Sequence, residues 1–223
     1  MNIPKTLILL FFISIKSIYL FSNSPLQDEI NLYRQEKGLN TLVSSENLLR
    51  SSKNHLDYLV SRSIITHKGK MGDSLEVRVK NTGVTSFYYG EVVGYSTSLD
   101  KLLDSWIDSE PHNRVLLDQK WNFIGISNYF NGKSYISVVN FSSGILGSTT
   151  IKYFDDKIIL NGVYIDKPNF KGDFKIISSL FKDNQFEIEI IPNKKSFFIY
   201  VYDSSNKLTD RVDVFLKDTI DQL

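Results

Sequence analysis

Trp106-Ile-Asp-Ser-Glu-Pro-His112 closes a helical run and decides how the chain is read on either side of it. Upstream, Leu99, Leu102, Leu103 and Trp106 recur at helical spacing behind Ser98. Downstream, Phe123-Ile-Gly-Ile126 and Tyr135 to Phe141 read as strands joined through an Asn131-Gly132 turn. Further upstream, Leu26, Ile30 and Tyr33 share one helical face, with Gly38 as the stop signal. A Ser44 or Ser45 cap opens another helix, whose apolar side carries Leu48, Leu49, Leu56 and Leu59. Helices and strands therefore share one core over residues 25–141.

The pattern changes after Phe141. Ser142-Ser-Gly-Ile-Leu-Gly-Ser148 is rich in small residues and reads as a linker over 142–148. Beyond it, Phe186, Ile188 and Ile190 alternate with Glu187 and Glu189, the period of a half-buried strand. Similar runs lie at Thr150 to Phe154, Lys157 to Leu160, Val163 to Ile165, Phe174 to Ile177, Phe197 to Tyr202 and Arg211 to Leu216, with Asn161-Gly162 as a hairpin turn. Seven short strands predict a small immunoglobulin-like β-sandwich over 149–223. It contains no histidine, and the sequence points to a spacer or adhesion module.

The N-terminal residues differ from both parts. A basic start is followed by the apolar run Thr6 to Ile15, which is too short to span a bilayer; Lys16 and Ser17 interrupt it before Ile18-Tyr-Leu-Phe21. Residues 1–24 are expected to be a secretion signal or an uncleaved anchor, placing the rest outside the cytoplasm, secreted or in the cell envelope. The chain has 26 Lys+Arg and 25 Asp+Glu, and two of the lysines lie in the first 24 residues, so the remainder carries no excess of positive charge. That removes the electrostatic case for nucleic-acid binding. With no cysteine, disulfides, thiolate metal sites and cysteine nucleophiles are excluded.

Only three histidines are available for chemistry. His67 sits in Ile65-Thr-His-Lys-Gly69 after the second helix, and His112 just past the third; His55 lies within the second helix and reads as a helix-face residue. No His-Glu-x-x-His pair, Gly-x-Ser-x-Gly elbow or phosphate-binding glycine loop occurs.

Glu29-Ile-Asn-Leu-Tyr-Arg34 with Gly38-Leu39, then Thr66-His-Lys-Gly69, Tyr89-Gly-Glu91, Trp106 to His112, Leu116-Leu-Asp118 and Ile124-Gly125 fall in one order and spacing. Over residues 26–141 this resembles the CAP superfamily (cysteine-rich secretory, antigen 5 and pathogenesis-related-1 proteins; SCP domain), in a cysteine-free bacterial branch. The resemblance implies an α-β-α sandwich, hence an α+β chain, with a cleft lined by histidines and acids that in some members holds a divalent metal. The matching positions are His67, Glu91 and His112, a set suited to zinc. The sequence departs from the family at Val92, Ser109, Asn113 and Val139. The implied function is binding of a protein or lipid ligand rather than catalysis. Two alternatives stay open: a metal-assisted hydrolase in the same cleft, and a lipid or sterol carrier with Phe87, Tyr88, Tyr89 and Tyr95 lining a groove.

Overall fold

The computed structural model describes residues 24–154 and 156–216. The expected signal or anchor, residues 1–24, lies outside the described residues except for Ser24.

The first unit begins with α1 (Pro25–Glu36), whose cap Ser24 accepts from Gln27 N–H and whose first residue is proline, both ordinary helix openers. A two-residue strand, β1 (Val43–Ser44), leads to α2 (Glu46–Arg62), capped by Ser45 and closed at Ser63 in the left-handed region. Then come α3 (Leu75–Lys80), β2 (Tyr89–Ser96), α4 (Leu99–Asp108), α5 (Glu110–Leu116), β3 (Phe123–Phe130) and β4 (Tyr135–Ser142). Two of these helices, α3 and α5, are short and carry no periodicity that stands out in the sequence.

The sheet order is β1-β3-β4-β2. Its strands alternate between two apolar faces. Val92, Ile124, Ile126, Val139 and Phe141 pack against Leu26 and Ile30 of α1, Leu102 and Trp106 of α4, and Leu116 of α5. Val93 and Val138 face Leu56 and Leu59 of α2, and Phe123 faces Leu48. The result is the expected α-β-α sandwich. At Gly125 the helix lies directly on the sheet: a Cβ there would fall on the backbone of Leu48 and Leu49.

Among the described residues the second unit has seven strands: β5 (Leu146–Tyr153), β6 (Ile158–Tyr164), β7 (Asn169–Gly172), β8 (Phe174–Lys182), β9 (Gln185–Pro192), β10 (Ser196–Tyr202) and β11 (Leu208–Phe215). They form two sheets, β5-β6-β9-β8 and β11-β10-β7. Lettered A to G in chain order these are ABED and CFG, the strand order of an immunoglobulin constant-type sandwich. Ile158, Leu160, Phe186, Ile188 and Ile190 of the first sheet meet Phe170, Phe197, Ile199, Val201, Val212 and Val214 of the second in one core.

Two expectations are corrected here. Asn161-Gly162 is not a turn: both residues lie inside β6, which pairs with β5 on one side and β9 on the other. Gly162 instead makes room for the Phe186 ring and the backbone of its strand neighbour. A real two-residue turn, Asp183-Asn184, joins β8 to β9 with positive φ at both positions (51° and 58°). The stretch 142–148 is also no open linker. Residues 142–147 are buried, and β5 already begins at Leu146.

Strand β8 stands at the edge of its sheet with almost every residue exposed, Ile176, Ile177 and Leu180 among them. Its register slips between Ile176 and Ser178.

Candidate functional site

Glu91 is the centre of the site. Pairing of β2 with β4 sets it directly opposite Asn140, on the sheet face covered by α2. Its side chain is 2% exposed. Oε2 accepts from Arg78 Nη2 at 2.6 Å and from Asn140 Nδ2 at 2.9 Å, while Oε1 lies 2.9 Å from His67 Nδ1. Burial alone would raise this carboxyl, but the His67 hydrogen bond and the Arg78 charge and hydrogen bond pull it below the usual carboxylate range.

His67 lies on the loop between α2 and α3, its ring more than half exposed. His55 of α2 holds that loop from below, with Nε2 2.9 Å from the Thr66 carbonyl oxygen and the ring fully buried. Desolvation lowers His55, against the pull of nearby Glu91, which favours its charged form. Arg78 of α3 closes the loop from the side, donating from Nη1 to the carbonyls of His67 (2.7 Å) and Asp73 (3.1 Å).

His112 lies on α5, where Nδ1 is 2.8 Å from Ser109 Oγ. Ser109 and His112 bracket the first turn of that helix, and their contact runs between side chains, leaving the backbone N–H groups of that turn without a side-chain cap. Burial lowers His112, and the charge of nearby His67 lowers it further.

The structure thus joins His67 to Glu91, and brings His112 within electrostatic reach but not into the hydrogen-bond network. Three members escaped the sequence reading: Arg78, Asn140 and His55 as the loop anchor. The amide beside Glu91 comes from Asn140, one residue past Val139, because Val139 points to the opposite face of the sheet. At Asn113 the side chain accepts from Tyr33 Oη at 3.0 Å.

The expected zinc set is not assembled. Among the described residues no three His, Asp or Glu side chains are grouped so as to hold a metal ion. Both oxygens of Glu91 are committed to protein donors, which leaves two imidazole Nε2 atoms, short of a zinc shell. The four aromatics do not form one groove around Glu91 either. Phe87 and Tyr89 line a cavity with Tyr153 and Arg211 at the junction with the second unit, while Tyr95 lines another with Tyr129, Ile64 and Ile65.

A sheet with helices on both faces is what the CAP resemblance called for. The model of the cysteine-rich secretory protein (CAP) family matches residues 27–141, just over half of the chain, and the chain belongs to that family. Among solved structures, an outer surface protein from Borrelia burgdorferi is 23% identical with a TM-score of 0.50, the match covering 53% of this chain and 89% of that one. An extracellular SCP-domain protein from Bacillus anthracis is 21% identical (TM-score 0.48; 53% and 39% covered). A cysteine-rich secretory protein from Staphylococcus aureus is 25% identical (TM-score 0.44; 53% and 37% covered). No curated protein matches the chain.

Proposed function

We propose that this is an exported CAP-family protein that works by binding, presenting the His67 loop and its surroundings to a protein or lipid ligand in the cell envelope or outside it. The observation that carries the reading is the commitment of Glu91. A general acid or base needs an oxygen free to meet substrate. Here Oε1 orients His67, and Oε2 is taken by Arg78 and Asn140. The carboxylate works inward, fixing the loop that carries an exposed imidazole. Export is supported by the basic-then-apolar start of the chain, Met1 to Ile15.

The test compares wild type with His67→Ala in binding to isolated envelope and to host extracellular fractions, alongside hydrolysis of generic ester and peptide substrates. Binding that weakens several-fold with an unchanged melting temperature supports the reading. Hydrolysis by wild type that vanishes with His67→Ala would replace it with the enzyme reading.

A further inference from the structure

We propose that Arg78 is the resident cation of this cleft: its guanidinium takes the Glu91 oxygen that a divalent metal would need, and so closes the cleft to metal cations. Arg78 is fixed from three directions. Nη2 donates to Glu91 Oε2, and Nη1 to the carbonyls of His67 and Asp73. Its side chain is 9% exposed. The stem passes beside Gly69, where a Cβ would sit 3.0 Å from Arg78 Cδ. Val79, the next residue of α3, is buried against Leu48 and Phe123, which anchors the helix that carries the guanidinium.

Charge and geometry then act together. A metal ion drawn to Glu91 would meet a fixed positive charge within hydrogen-bond reach of the same carboxylate, and like charges at that range repel strongly at a poorly hydrated site. It would also have to displace the donor from Oε2, leaving the buried guanidinium with its two carbonyl partners but without its counter-ion. That replacement costs more than loss of the bond itself. A planar fork satisfies a carboxylate and two carbonyls at once, which a spherical ion with a preferred tetrahedral shell does not.

The experiment adds zinc chloride to the protein at neutral pH and follows the histidine ring nitrogens by NMR together with thermal unfolding. In wild type, equimolar zinc should leave the His67 and His112 ring signals unmoved. In Arg78→Met the same signals should move and the melting temperature should rise, and the rise should vanish in Arg78→Met/His67→Ala. Arg78→Lys, which keeps a charge but not the fork, should remain indifferent to zinc. Where Arg78→Met does not fold, the wild-type and Arg78→Lys spectra decide. Zinc that moves both rings in wild type or in Arg78→Lys overturns the proposal, as does a folded Arg78→Met that ignores zinc.

Discussion

Thr85 Oγ1 of the first unit donates to Asp210 Oδ1 of the second at 2.9 Å, and Asp210 is wholly buried. The other carboxylate oxygen accepts from the backbone N–H of Ile145, in the segment between the units, at 2.8 Å. The Thr85 carbonyl in turn accepts from Arg211 N–H, so the first unit, the connecting segment and β11 meet at one acid. Gly144, at φ 90°, passes so close that any side chain there would run into the carboxylate.

Asp210 gives the junction a pH signature. Desolvation is the largest influence and pushes its carboxyl up to about 6, against hydrogen bonds from Ile145 and Thr85 that hold it down. Because the folded value lies above the ordinary 3.8, the native chain binds this proton more readily than the unfolded chain. The contribution is full below pH about 4 and is lost as pH rises through about 6, on the order of 3 kcal/mol at most. Urea midpoints measured from pH 4 to pH 7.5 should show Asp210→Asn losing less stability than wild type over that interval. Parallel curves would count against the assignment.

Division of the chain depends on where it is cut. A fragment ending at Ser142 removes Gly147, whose backbone lies against the Phe123 ring, and Ser148, whose hydroxyl accepts from Glu46 N–H at 2.8 Å. A fragment of residues 24–148 keeps both. The longer fragment should unfold cooperatively and at a higher temperature than the shorter one, each below the intact protein, as read by circular dichroism. Equal melting of all three would mean that the junction adds nothing.

Gly125→Ala should be among the most damaging single changes in the first unit. The new methyl group would fall on the Leu48–Leu49 backbone rather than on a movable side chain, so α2 itself must shift. Overpacking of this kind costs about 3 kcal/mol or more. Chemical denaturation of the variant checks it, and a loss under about 1 kcal/mol would show that the helix yields easily.

His55→Ala removes the Nε2 contact to the Thr66 carbonyl and opens a cavity beneath the His67 loop. The expected loss is about 2 kcal/mol, with faster amide exchange at Thr66 to Gly69 than elsewhere. His55 also resists protonation when folded, because burial lowers it. Its stabilising effect is therefore present above the ordinary value of 6.5 and fades as pH falls below it. Wild type should become acid-sensitive in that range, and His55→Ala should not share that part of the slope. Uniform exchange across the loop and its surroundings would argue that the anchor lies elsewhere.

The strongly periodic elements are legible in the sequence alone. Leu99, Leu102, Leu103 and Trp106 mark α4, and the alternation around Phe186 to Ile190 marks β9, because burial on one face writes a period into the sequence. The short elements are not. Leu75–Lys80 spans fewer than two turns, so its one buried residue, Val79, leaves no pattern, and Arg78 beside it looks like any surface arginine until the fold sets it against Glu91. Asn161-Gly162 misleads because the same dipeptide serves a sharp turn or a strand that needs space for a neighbour's ring, and only the tertiary context separates them. His67 and Glu91 are readable through the family spacing. Asn140 is not, since which residue faces Glu91 is a matter of strand register.

Among the described residues strand β8 pairs on one side only, so its other side faces any neighbouring chain with backbone donors and acceptors. If two copies approached edge to edge in antiparallel fashion about Ser178 and Ser179, Lys175 of one would stand across from Lys182 of the other at both ends of the ladder. The slip at Ile177 would also throw the rungs out of step. The exposed edge thus carries its own deterrent. Crowded side by side at high local density, the molecules should stay separate instead of zipping into fibres.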